Sequence, residues 1–394
     1  MTNSAVYVVG AARTAIGNFN GAFTGVAATA LGATAIRSAL SRANVDPADV
    51  DEVLMGCVLP AGLGQAPARQ AALGGGVPEA TPCATVNKVC GSGMKAAMIA
   101  HDAILAGSDR IAVAGGMEAM TNAPHLLPSG RSGIKFGHGE ILDHMAFDGL
   151  EDAYTQRTAM GVFAEKCARE WQFSRDEQDE YAMRSVLRAQ ASIKDGSFGD
   201  EIAKVEVATR KGAVDVVDDE KPGLVSADKI PGLRPAFEKD GSVTAGNASA
   251  ISDGAAALVL ASGAVVDDKK LAPLARIVGH SSHAQAPEWF TTAPVASMRK
   301  LLEKIGWSPS EVDLFEINEA FAVVPLAAMR ELKLPAEKVN ARGGAIALGH
   351  PIGASGARIL VTLIHALRAT GGKRGIASLC IGGGEATSVA VELV

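Results

Sequence analysis

Four positions in this chain combine a reactive side chain with a setting that could expose it. Cys90 stands in Asn87-Lys88-Val89-Cys90-Gly91-Ser92-Gly93, with strand-like residues before it and a helix candidate after it. A thiol at a helix N-terminus meets the positive end of the macrodipole and unpaired N–H groups, which favour the nucleophilic thiolate. His350 stands in Gly349-His350-Pro351-Ile352-Gly353, and histidine is the usual general base near neutral pH. Cys380 closes an apolar strand candidate and runs into Ile381-Gly382-Gly383-Gly384. Parallel sheets place sites at strand C-termini, and the N–H groups of such a turn can form an oxyanion hole. Asn318, in Asn318-Glu319-Ala320-Phe321, lies at a strand-to-helix junction where its amide could hold a water or an oxyanion. Each position also has a plain structural explanation: a cysteine in a tight turn, a solvated histidine, a strand cysteine, a helix N-cap. Together, two thiols and an imidazole make a set suited to acyl transfer and proton transfer.

Such a set needs a scaffold that gathers strand ends. Apolar, β-branched runs at 6–9, 53–58, 111–114, 255–260, 274–278, 314–317, 376–381 and 387–393 read as strands. Stretches at 31–43, 92–106, 297–305, 320–332 and 357–368 read as helices, with a Gly-rich turn over 343–356. Strands alternating with helices predict βαβ units and a mostly parallel sheet, an α/β fold. Between 122 and 246 the chain turns polar, with charged helix candidates at 161–170 and 175–192 and a surface-strand run at 214–220. This stretch reads as an inserted lobe. A weak internal echo links the halves: a Cys90 turn, helix, strand and Gly115-Gly116-Met117-Glu118-Ala119, then a His350 turn, helix, strand and Gly383-Gly384-Glu385-Ala386. Two facing βα halves would explain both series.

Composition narrows the function classes. The 394 residues allow two or three structural units. Lys and Arg number 37 against 43 Asp and Glu, a net charge of −6, so a nucleic-acid partner is not expected. Hydrophobic residues at 48% exclude global disorder, and 44 glycines with only 4% aromatics favour a layered α/β core of small side chains over a β-sandwich. No apolar run reaches the ~18 residues of a membrane span, and Met1-Thr2-Asn3-Ser4 carries no basic n-region, so neither a span nor a signal peptide is expected. Five scattered cysteines (Cys57, Cys83, Cys90, Cys167, Cys380) without a C-x-x-C pair argue against disulfides and structural zinc. They fit a reducing, cytoplasmic setting.

The four motifs in order and spacing closely resemble the thiolase family, in its acetyl-CoA acetyltransferase branch. Arg13-Thr14-Ala15-Ile16-Gly17 and Ala245-Gly246-Asn247-Ala248-Ser249 match the family pattern too, and the likeness runs from about Val6 to the last strand. The resemblance implies two related βα halves with mixed five-stranded sheets, layered α-β-α-β-α, plus an inserted loop domain. The halves would be 1–121 with 247–272 and 273–394, and the loop domain 122–246 would supply coenzyme A contacts and tetramer contacts.

By the same resemblance, Cys90 would be acylated, His350 would take its proton, and Cys380 would exchange the α-proton of the second acyl group. Asn318 would hold a water that, with His350, stabilises the enolate; the N–H groups of Cys90 and Gly382 would hold the tetrahedral oxyanion. Ser249, Ala245, Leu150, Met160, Phe290, Lys221 and Phe321 would meet the acyl-CoA substrate. No metal or cofactor is implied beyond coenzyme A as substrate and product, and the expected assembly is a homotetramer. Some positions depart from the pattern. Ala159 precedes Met160-Gly161 where short-chain members carry histidine, Lys221 stands near a nucleotide-binding arginine, and Phe290 replaces a pocket methionine. Rival readings are a 3-ketoacyl-CoA thiolase of broader chain length, a decarboxylating condensing enzyme, and a non-catalytic acyl-CoA-binding relative.

Overall fold

Val6–Thr14 (β1) sits at the middle of the sheet network because all but one of its residues is buried. The other principal strands are Glu52–Gly56 (β2), Cys83–Val86 (β3), Ile111–Ala119 (β4), Ser252–Ser262 (β5), Ala275–Ala284 (β6), Leu314–Ile317 (β7), Arg374–Ile381 (β8) and Glu385–Leu393 (β9). The computed structural model describes residues 5–155 and 157–394. The four N-terminal residues on which the signal-peptide expectation rested lie outside the described residues.

The two halves repeat one topology. The first runs β3-β2-β4-β5-β1, and the second runs β7-β8-β9-β6. In the first, β5 is antiparallel to β1 and β4, while β2 is parallel to β4 and β3. In the second, β9 is antiparallel to β6 and β8, while β7 is parallel to β8. The counterpart of β3 shrinks to one parallel bridge between Phe315 and Val339. Antiparallel pairing of Val6–Val8 with residues 275–277 joins the two sheets edge to edge.

Helices supply the remaining layers. Ala28–Ala43 (α1) and Pro67–Gly74 (α2) cover one outer face, in a core of Leu31, Ile36, Val113 and Val259. Ser92–Ala106 (α3) packs at the centre. Met160–Glu170 (α4) and Arg175–Lys194 (α5) belong to the insert. Ala293–Ile305 (α6) and Val323–Leu332 (α7) cover the other outer face. Ile352–Thr370 (α8) lies beside α3, and Met94, Met98, Leu360 and Leu363 fill the shared layer. This arrangement is α-β-α-β-α. Helix α8 is long and apolar enough to cross a membrane, but 89% of it is buried in the fold; a helix apolar all round suits a central layer.

Several elements differ from the sequence expectation. β4 continues through Gly115 and Gly116, because a Cβ at Gly116 would stand 2.0 Å from the carbonyl oxygen of Gly353. The close passage of α8 demands glycine there, not a turn. The glycine echo is therefore not between equivalent positions: 115–116 lie inside β4, whereas 382–384 form the turn between β8 and β9. In the first half, the whole insert occupies the connection that corresponds to that turn. The Gly-rich 343–356 stretch is partly helical, with Ala345–Leu348 forming one turn and α8 beginning at Ile352. Helix α7 begins at Val323, so residues 320–322 belong to the preceding turn. The strand-like residues before Cys90 form β3, only four residues long, and α2, eight residues long, was not anticipated.

Candidate active site

Cys90 sits on a bent turn just ahead of α3. Val89 has φ +45°, a conformation that costs a β-branched residue energy and is kept only where surroundings enforce it. They do so here. Val89 N–H donates to Asn87 Oδ1 at 3.0 Å, Lys88 N–H donates to Ser92 Oγ at 2.8 Å, and that hydroxyl donates to the Val89 carbonyl at 2.6 Å. Lys88 Nζ pairs with Glu385 just beyond the Gly382-Gly383-Gly384 turn, so a charge staple links the two turns.

The backbone N–H groups of Gly382 and Cys90 lie near enough to the Cys90 sulfur to favour its anion. Burial nevertheless outweighs them and pushes the thiol from 9.0 up to about 11. The expected lowering of the Cys90 thiol is thus corrected: desolvation of the anion outweighs the two nearby N–H groups. Cys380, buried at the end of β8, is raised well above 9.0, first by burial and then by repulsion from Cys90. The two sulfurs are close enough for their charges to interact.

His350 is buried. Its Nδ1 lies 2.6 Å from Ser355 Oγ, its Nε2 3.4 Å from Asn318 Nδ2, and its backbone N–H donates to the Ala250 carbonyl at 3.0 Å. Ser355 Oγ donates to the Pro351 carbonyl at 2.9 Å, so it accepts from Nδ1–H. That assignment from the hydrogen-bond network leaves Nε2 with its lone pair. Burial, aided by the positive charge of Arg358, lowers the imidazole to about 3. The ring is neutral and ready to accept a proton. Asn318 Oδ1 is buried and has no hydrogen-bond partner among the described residues.

Two carboxylates that sequence reasoning did not single out hold these pieces together. Glu118, fully buried at the end of β4, accepts N–H groups of Val58 (3.0 Å), Leu59 (3.1 Å) and Gly353 (2.8 Å). Burial raises it from 4.5 to about 7, and the three N–H donors restrain that rise. It also acts electrostatically on Cys90. Glu319 accepts from Tyr181 Oη (2.8 Å), Ser185 Oγ (2.7 Å), Asn340 Nδ2 (2.8 Å) and Ile346 N (3.0 Å). It thereby anchors the short helix that precedes His350.

The Arg13 motif is structural. Its buried guanidinium pairs with Glu201 at 2.7 Å and bidentately with Asp219 at 2.7 and 2.9 Å, tying the insert to β1. Bidentate geometry of this kind fixes orientation as well as charge.

A cleft of about 720 Å³ opens onto His350. Its walls include Ala245, Ser249, Leu150, Met160 and Phe321, all anticipated from sequence, together with Phe237 and Ile352, which were not. Met160 also borders a second hollow of about 400 Å³ that reaches Val89, Gly382 and Gly383. Two expected contacts fall elsewhere. Phe290 does not line the cleft; it packs edge-on behind Phe321 (centroids 6.4 Å apart) and against Phe163 (6.5 Å). Lys221 lies on a turn held to α5 by Gln190 Nε2, which donates to the Pro222 carbonyl at 2.9 Å. Its amine is turned inward, where burial lowers it to about 8 against the opposing charge of Glu319.

Paired βα halves, with a thiol on one turn and an imidazole and a second thiol on the others, define an acyl-transfer enzyme of the thiolase class. The chain belongs to the thiolase family: the N-terminal thiolase domain matches residues 6–264 and the C-terminal domain residues 271–393. It is 52% identical to acetyl-CoA acetyltransferase 1 of Arabidopsis thaliana, covering 99% of this chain and 94% of that one. It is 47% identical to the acetyl-CoA acetyltransferase of Schizosaccharomyces pombe over the full length of both. Among solved structures, it superposes on the Acat5 thiolase of Ascaris suum in complex with coenzyme A with a TM-score of 0.93 and 42% identity, covering 99% of this chain and 100% of the other. The Bacillus anthracis acetyl-CoA acetyltransferase gives a TM-score of 0.96 at 43% identity, covering 99% of both.

Proposed function

We propose that the protein is an acetyl-CoA C-acetyltransferase, joining two acetyl-CoA into acetoacetyl-CoA and coenzyme A and catalysing the reverse thiolysis. The observation that carries this is the apposition of the Cys90 turn and the Gly382 turn, with His350 Nε2 beside Asn318. The resting pair is thiol and imidazole, both neutral. Proton transfer from Cys90 to His350 Nε2 therefore accompanies attack on the thioester carbonyl. The N–H groups of Cys90 and Gly382 receive the developing oxyanion, and removing one such donor typically costs about 3–4 kcal/mol. Coenzyme A leaves with the proton of the Cys380 thiol, the acetyl group stays on Cys90, and Cys380 is left as the thiolate.

In the second half, Cys380 removes the α-proton of the next acetyl-CoA. A water held by Asn318, with His350, stabilises the enolate, whose carbon attacks the acyl-cysteine. Acetoacetyl-CoA forms, and the released Cys90 sulfur takes back the proton held on His350. Ser249, Ala245, Leu150, Met160 and Phe321 would hold the acyl-CoA, and segment 122–246 would act as the covering loop domain. Coenzyme A is substrate and product; no other cofactor enters the proposal.

The proposal extends to a homotetramer, supported by apolar side chains at Leu127, Ile134, Phe136 and Ile141 that stand exposed on one insert segment. It also extends to a reducing, cytoplasmic setting, supported by five free cysteines. Labelled acetyl-CoA followed by peptide mapping should place one acetyl group on Cys90, and coenzyme A should cleave acetoacetyl-CoA. Labelling elsewhere, or no thiolysis, would exclude the reading. A panel from acetoacetyl-CoA to 3-ketooctanoyl-CoA separates it from a broader thiolase, and light scattering reads the assembly.

A further inference from the structure

His101 and Asp102 lie near the C-terminal end of α3, and His280 lies on β6 in the other half of the molecule. His280 Nε2 stands 2.8 Å from Asp102 Oδ1, and His101 Nδ1 stands 3.1 Å from the same oxygen. The rings meet edge to face with centroids 5.1 Å apart. One ligating atom from each of the three side chains thus falls within 4.8 Å of the others. In a tetrahedral site with bonds near 2.0–2.2 Å, neighbouring donor atoms stand about 3.3 Å apart. Each ring nitrogen needs to move only a few tenths of an ångström from the carboxylate, while the two rings draw together, to surround an ion. Acyl transfer uses none of the three residues.

The surrounding charges decide which ion fits. Lys304 Nζ donates to the His280 carbonyl at 3.2 Å, and Lys304, Arg276 and His101 border a hollow of about 280 Å³. Two nearby cations and a single carboxylate disfavour magnesium or calcium, which are held by several oxygens. Imidazole nitrogens favour zinc, nickel, copper or cobalt, bound through lone pairs. In the metal-free cluster Nδ1–H of His101 and Nε2–H of His280 face the carboxylate. On metal binding a neutral ring moves that proton to its other nitrogen, and a charged ring releases one.

We propose that His101, Asp102 and His280 form a binding site for a transition-metal dication of the zinc class, with water completing the shell, that clasps the end of α3 to β6 across the two halves. The cysteine pattern argued against structural zinc, but this cluster uses no cysteine and arises only when distant segments meet.

Calorimetric titration of the full-length protein with Zn2+ should show a site of about micromolar affinity, weakened at least tenfold in both His280→Ala and Asp102→Asn. Co2+ should give the visible absorption of a nitrogen and oxygen site without the charge-transfer band of a bound thiolate, which separates this cluster from the catalytic cysteines. Zn2+ should raise the unfolding temperature of the parent protein and not of Asp102→Asn, a surface change that leaves the core intact. Titrations identical in the parent and both variants, or a thiolate band with Co2+, would overturn the proposal.

Discussion

His350 Nδ1 lies 2.6 Å from Ser355 Oγ, five residues further along and one turn into α8, and the hydroxyl spends its own proton on the Pro351 carbonyl. The histidine and the group that orients it thus come from a single helix start. In Ser355→Ala the buried Nδ1–H loses its acceptor. Leaving a buried polar group unmatched costs about 1–3 kcal/mol, and the other tautomer becomes competitive. Turnover should fall about tenfold to a hundredfold with little change in KM, and Ser355→Thr should recover part of it. A Ser355→Ala enzyme with parental kcat would show that the hydroxyl does not set the tautomer.

Cys90, His350, Cys380 and Asn318 were legible because each combines a reactive side chain with a local signal, a strand end, a glycine turn or a helix start. Glu118 was not. It reads as part of a glycine-rich run, and its role exists only because β4 passes under the first turn of α8. Ser355 was hidden in the same way inside a stretch taken for a turn. Phe290 and Lys221 do not line the cleft for the converse reason: sequence position says nothing about which way a side chain turns once neighbouring helices pack. Burial also reversed the expected sign of the Cys90 shift, since a local dipole is visible in sequence and desolvation is not.

Glu118 should make stability depend on pH. Its carboxyl is raised from 4.5 to about 7 in the folded protein. Between those values the folded state keeps a proton that the unfolded chain has released. The stabilisation is full below pH 4.5 and lost as pH rises through 7, about 3 kcal/mol in all. The fall in unfolding free energy over this range should be smaller by that amount in Glu118→Gln than in the parent, measured by urea denaturation at fixed concentration. His350 titrates in both proteins and drops out of the difference. Parallel curves would mean that Glu118 is ionised throughout.

Gly116 lies where β4 and α8 nearly touch. A methyl group there would stand 2.0 Å from the Gly353 carbonyl oxygen, and both sides of the contact are backbone. Overpacking of this kind costs about 1–3 kcal/mol, and here it displaces the helix start next to His350. Gly116→Ala should lower the urea midpoint and cut kcat more than KM. A variant with unchanged midpoint would show that the two elements can separate without cost.

The Lys88–Glu385 pair should matter more to turnover than to stability. Both side chains are partly exposed, and solvent screening limits such pairs to about 0–1 kcal/mol. They nevertheless join the two turns that supply the Cys90 and Gly382 N–H donors. A donor misplaced by a fraction of an ångström loses much of its hold on an oxyanion. Lys88→Gln should therefore leave the unfolding midpoint nearly unchanged while lowering the rate of acetyl transfer to Cys90 about tenfold. Glu385→Gln should do the same, and the double variant should be no worse than either single one, because both remove one interaction. Additive losses in the double variant would assign the two residues separate roles and dissolve the link between the turns.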